Sequence, residues 1–108
     1  MTEFKTPGLA PILSRLHATL LPYGSRLAVR IEHLAAAFAE DYDDRPISAR
    51  SISGLIDFLE TVPPSSYPDL TMTPGGDCYA EWRGSNGHKV AIKFLDSGVA
   101  RYVTLPGI

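Results

Sequence analysis

Cysteine occurs once in the 108 residues, at Cys78, which rules out an intramolecular disulfide and suits a reducing compartment. Long apolar runs are missing as well. The most extended, residues 34–39, is far shorter than the roughly 20 residues a membrane-spanning helix needs. Behind Lys5 and Pro7 no continuous apolar stretch follows, so no secretory signal is expected and the cytoplasm is the expected compartment. Neither sign of charge is in large excess. Ten Lys and Arg against twelve Asp and Glu leave a net charge of −2, which argues against general attachment to nucleic-acid phosphates. Low-complexity tracts are absent, and residue identities show no internal repeat.

What is present is an ordinary globular composition, 44% hydrophobic and 20% charged, enough for one domain over residues 1–108. Apolar spacing predicts a first helix over about 9–21, with Pro11 in its first turn and Ile12, Leu13, Leu16 and Leu20 on one face. Pro22-Tyr23-Gly24 ends it. Ser25 reads as the N-cap of a second helix over 26–40, whose stripe is Leu27, Ile31, Leu34 and Phe38. Ala35, Ala36 and Ala37 suit close packing there. An acidic tract follows, Glu40-Asp41-Tyr42-Asp43-Asp44. Carboxylates at a helix C-terminus oppose its macrodipole, so either the helix stops before them or they serve another purpose. Ser48 caps a third helix over 48–61 with Ile52, Leu55, Ile56 and Leu59 inward. Gly54 inside it suggests a close approach to another element.

After Pro63-Pro64 and the connector through Pro68, the pattern changes to a period of two. Strands are predicted over about 69–73, 78–83, 88–95 and 99–105. Turn chemistry separates them at Pro74-Gly75-Gly76-Asp77, at Gly84-Ser85-Asn86-Gly87 and at Asp96-Ser97-Gly98. Cys78, Ala80 and Trp82 alternate with Tyr79, Glu81 and Arg83; Val90, Ile92 and Phe94 alternate with Lys89, Ala91 and Lys93. In the last strand the faces are ambiguous. A short sheet needs a cover, and the helices ahead of it have apolar stripes. The expected fold is therefore α+β: two or three N-terminal helices on one face of a C-terminal antiparallel meander of about four strands.

Pro46, Ser48, Phe58-Leu59, Pro63, Pro68, Thr73-Pro74-Gly75-Gly76, Glu81-Trp82, Ile92, Phe94, Gly98 and Tyr102 follow one another in an ordered pattern. In that pattern residues 41–102 resemble a family of small bacterial α+β proteins with a capped helix and a β-meander. The chain departs from it at Tyr79-Ala80, where an aliphatic residue usually precedes Glu-Trp, and at Asp43-Asp44, where a glycine often follows the acidic residue. The resemblance implies the helix-plus-meander fold and brings no reaction, ligand or catalytic residue.

Soft metal ligands are Cys78, His17, His33 and His88, none at the spacing of a structural zinc site. No metal and no cofactor is expected. Thiol catalysis would need a base beside Cys78, and a hairpin at Asn86-Gly87 sets His88 nearer Arg83 or Trp82. The acidic tract lacks the glycine and terminal glutamate of a helix–loop–helix calcium site. As a negative patch it would instead meet basic side chains of a protein partner. Trp82 is expected in the sheet–helix core. The expectation is a non-enzymatic protein-binding inhibitor or regulator, of the antitoxin, immunity-protein or phage-encoded anti-defence kind. Its contacts would come from Glu40, Asp41, Asp43, Asp44, Tyr79, Glu81 and Arg83. The alternative is a small nucleic-acid-binding module using Arg83, Lys89, Lys93 and Arg101 on the sheet. A small thiol or metal enzyme ranks third. A membrane partner is not expected. An edge strand with few protective charges leaves homodimerisation open.

Overall fold

A computed structural model describes residues 8–18, 22–43, 45–61, 67–84 and 87–105, with the backbone alone at 103 and 105. Helices α1 (Leu9–Ala18), α2 (Gly24–Asp41) and α3 (Ala49–Thr61) precede strands β1 (Asp69–Met72), β2 (Cys78–Arg83), β3 (Lys89–Phe94) and β4 (Ala100–Leu105). The strands form one antiparallel sheet in the order β1-β2-β3-β4. This is the α+β arrangement with a C-terminal meander that the change of hydrophobic period predicts. α2 lies against β1 and α3 against β2 and β3, while α1 packs behind both helices.

The helices form where apolar spacing requires them. Leu9, Leu13 and Leu16 of α1 are buried, as are Leu27, Ile31 and Phe38 of α2 and Ile52, Leu55, Ile56 and Leu59 of α3. Residues 19–21, and with them Leu20, lie outside the described residues, as do the Pro63-Pro64 stop and Asn86. Ser48 caps α3: its Oγ accepts from Ser51 N–H at 3.0 Å, and its hydroxyl donates to Asp96 Oδ1 at 2.6 Å. Arg15 joins α1 to α3 through Asp57, at 2.7 Å, and Glu60.

Two helical details depart from expectation. α2 starts at Gly24, because Leu27 N–H already donates to Tyr23 O at 2.9 Å. Ser25 is thus inside the first turn rather than the cap, and its hydroxyl meets His17 Nδ1 at 3.0 Å. Of the alanine triplet only Ala35 packs against the core, half-buried; Ala36 and Ala37 are exposed, and Ala28 and Ala39 are the buried alanines of α2. Gly54 does face the sheet, but a methyl group there would lie 3.6 Å from Phe94 Cδ1, an ordinary contact. Close approach therefore does not require glycine. Gly54→Ala is expected to stabilise the protein by up to about 1 kcal/mol through helix propensity, read as a higher urea midpoint at unchanged slope.

The three hairpins are built alike. In each, a residue at the end of one strand exchanges a bond across three loop residues, the last being a glycine at positive φ. The bonds are Thr73 N–H to Asp77 O, Gly84 N–H to His88 O and Leu95 N–H to Val99 O, at 2.9, 2.7 and 2.8 Å. The glycines are Gly76, Gly87 and Gly98, with φ of 88°, 83° and 91°. Three loop residues closed by a left-handed glycine make a longer connection than the two-residue turn that the Asn86-Gly87 dipeptide suggests. The same glycines recur every eleven residues, a structural repeat hidden by unrelated strand sequences.

On the sheet's helix side lie Leu70, Cys78, Ala80, Ile92 and Phe94, all buried, with Trp82 half-buried. Trp82 packs on Phe58 of α3 at a ring separation of 5.9 Å, which places it at the margin of the core. Val90, directly opposite Trp82, is 38% exposed, whereas Ile92 and Phe94 are 5% and 3% exposed. The helical cover thins beyond Phe58, so the predicted Val90-Ile92-Phe94 stripe is buried at one end only. Ala91, expected on the solvent side, does lie on that side opposite Glu81. It is nevertheless buried.

Candidate partner-binding surfaces

The predicted contact residues fall on two separate surfaces. Tyr79, Glu81 and Arg83 alternate with buried Cys78 and Ala80, and so face away from the helices. Glu40, Asp41 and Asp43 sit at the end of α2, on the helical side; Asp44 lies outside the described residues. One partner would have to reach around the sheet to touch both.

At the first surface the helix does not stop before its carboxylates. α2 runs through Glu40 and Asp41, with no basic residue in its last turn, and closes with Tyr42 N–H donating to Phe38 O at 3.0 Å. Asp43 then turns the chain at φ 54°, a left-handed conformation that aspartate tolerates better than most residues. Two carboxylates at a helix C-terminus cost about 0.3–1 kcal/mol each, so α2 is not stabilised by them. All three acidic side chains are exposed. Beside them is a groove of about 180 Å³ lined by Leu34, Ala37, Phe38, Asp41, Tyr42 and Met72. Phe38 and Tyr42 stack at 4.5 Å, and the Arg45 guanidinium lies 5.7 and 5.8 Å from their ring centres. The result is an apolar slot with an acidic rim and one cation at its end.

The second surface is the open face of the sheet. Register sets Arg83 directly opposite Lys89 and Lys93 directly opposite Arg101. Like charges facing each other across strands destabilise a sheet. Glu81 offsets part of this through an ion pair to Lys89 at 3.4 Å. Tyr79, opposite Lys93, is half-buried between them.

The candidates for metal or thiol chemistry are dispersed. His17 lies on α1, His33 on α2, and His88 beside the loop at the far end of β2 from Cys78. Among the described residues no group of three His, Cys, Asp or Glu could hold a metal ion. Burial, and then the nearby Asp77 carboxylate, push the Cys78 thiol up to about 12, so it stays protonated at neutral pH. No described helix is long and apolar enough to cross a membrane.

Sequence reasoning overlooked Ser51. Its side chain is fully buried; the Oγ accepts from Cys78 N–H at 2.7 Å, and the hydroxyl donates to Phe94 O. The signal was available, since Ser51 falls four residues before Leu55, on the stripe that α3 turns inward. Comparison with known proteins adds no function: no protein-family model, curated protein or solved structure matches the chain. The family resemblance therefore rests on its motif residues alone.

Proposed function

We propose that the chain is a non-enzymatic, protein-binding inhibitor or regulator of the antitoxin, immunity-protein or anti-defence kind. It engages a basic partner at the acidic end of α2. The observation that carries this reading is the continuation of α2 through Glu40 and Asp41, against its own dipole, beside an apolar slot rimmed by Asp41 and Tyr42. Carboxylates that cost the helix stability gain a reason if a partner's lysines or arginines meet them. The slot would take an apolar side chain at the centre of that contact.

The test is a triple change, Glu40→Gln, Asp41→Asn and Asp43→Asn. Asparagine also tolerates the left-handed backbone at 43, so the fold is kept. The variant should melt no lower than the parent, yet lose at least tenfold in affinity for a stoichiometric partner purified from the native host. Unchanged affinity would remove the acidic end of α2 from the contact.

A second reading has its own support. The opposed cations on the open sheet face, with Tyr79 among them, would be stabilised by a nucleic-acid backbone. Binding to single-stranded RNA that weakens steeply with salt, and is lost in Lys93→Ala with Arg101→Ala, would favour it over the first.

A further inference from the structure

The two edges of the sheet are not treated alike. At β1 the alternation of bonded pairs from Thr73–Asp77 turns the Leu70 peptide outward, and Arg30 of α2 donates from Nη2 to Leu70 O at 3.1 Å. That edge is short and its central acceptor is occupied. At β4 the alternation from the Leu95–Val99 pair makes Arg101 and Val103 bond to β3. The N–H and C=O groups of Ala100, Tyr102 and Thr104 then point away from the sheet.

β4 has little of the usual protection of an edge. Its pairing with β3 runs unbroken through all six residues, without a bulge or proline, and Arg101 is its one charge. The helices lie over β1 to β3, and Ala100, Arg101, Tyr102 and Thr104 are all exposed. Tyr102 stands out at 72% exposure, on the same side of the sheet as buried Ile92.

We infer that β4 is a homodimerisation edge, pairing antiparallel with β4 of a second copy about a two-fold axis through Tyr102. This inference is independent of the reading of the acidic surface. A second copy fits because the edge is self-complementary. A two-fold perpendicular to the sheet keeps both helical layers on one side and allows only registers centred on a residue. Centring on Arg101 sets two guanidinium groups face to face. Centring on Val103 leaves Ala100 without a counterpart inside β4, which ends at Leu105. Centring on Tyr102 matches every outward-pointing group with another: Tyr102 with its copy, Ala100 with Thr104, and Thr104 with Ala100. It also sets Arg101 opposite position 103 and brings the two exposed tyrosine rings together over the axis.

Sedimentation equilibrium on the full chain over a dilution series tests this. The parent is expected to reach twice the monomer mass at high concentration and to dissociate on dilution. Thr104→Pro removes an outward donor and leaves the bonds to β3 in place, and Tyr102→Lys opposes two ammonium groups. Each should abolish the dimer with an unchanged circular dichroism spectrum, whereas Arg101→Ala should keep it. Should Thr104→Pro fail to fold, Tyr102→Lys decides alone. A parent that stays monomeric at its highest soluble concentration overturns the inference, as does a dimer that survives Tyr102→Lys. The Glu40, Asp41 and Asp43 variant should dimerise like the parent, which separates this contact from the proposed partner surface.

Discussion

Ser51→Ala is expected to destabilise the protein by about 2–4 kcal/mol, taking 1–2 kcal/mol for each of the two buried groups left short of a partner. In a domain of this size that lowers the melting midpoint by roughly 10 °C or more. The hydroxyl sits at the mouth of the β2–β3 ladder. It bonds to Cys78 N–H at 2.7 Å and to Phe94 O, the two groups that the strand register turns toward each other. It thereby fastens α3 to two strands at once, in a place with no access to water. Local propensity acts in the opposite direction, because alanine is the better helix former. The sign of the change is therefore diagnostic: a neutral or stabilised Ser51→Ala protein would mean that the strands close directly and the bridge is dispensable. Ser53→Ala, two residues along and only half-buried, serves as the comparison and should stay within about 0.5 kcal/mol. Amide hydrogen exchange gives an independent readout, since the Cys78 N–H should lose protection in Ser51→Ala and keep it in Ser53→Ala.

That bridge also marks where sequence reasoning reaches its limit. Apolar periodicity of 3.6 and then of 2 is set by which residues must leave water, and it located three helices and four strands in order. The Ser48 cap was readable for the same local reason. Ser25 misled because a good capping residue acts only if the backbone stops being helical at that point, and the Tyr23 carbonyl had already accepted the first bond. Turn positions were legible from Pro, Gly and Asn, but loop length was not. It depends on which residue crosses to positive φ, and in all three hairpins that is the last glycine before the strand. The acidic residues could be named as exposed from composition, but not placed against the sheet residues Tyr79, Glu81 and Arg83. Their separation follows from the packing of α2 on the other face. The bareness of β4 depends on how far the helical layer extends sideways, and no residue within β4 encodes that.

Gly76→Ala is expected to cost about 2 kcal/mol or more, of which the left-handed backbone alone accounts for about 1–2 kcal/mol. Gly76 has φ 88° and is buried, and an added Cβ would lie 3.3 Å from Pro46 O and 3.6 Å from both Ile47 Cα and Phe38 Cζ. Two of those neighbours belong to the backbone leading into α3, which cannot rotate away as a side chain can. The Gly76 carbonyl also accepts from Ser48 N–H at 2.8 Å, so a shift of the turn disturbs the cap of α3 as well. Gly98 separates the two contributions. It has nearly the same φ, 91°, in the same kind of loop, with nothing within 4 Å of the added methyl. Gly98→Ala should therefore show the backbone cost alone, and the excess in Gly76→Ala measures the packing of the β1–β2 turn beneath residues 46–47. Equal losses in urea unfolding would show that the connector gives way freely. An excess of 1 kcal/mol or more would establish that the segment following the acidic loop is clamped by this turn. Phe38, which lines the acidic slot, is held by the same glycine, so the larger substitution Gly76→Val should perturb partner affinity as well as stability.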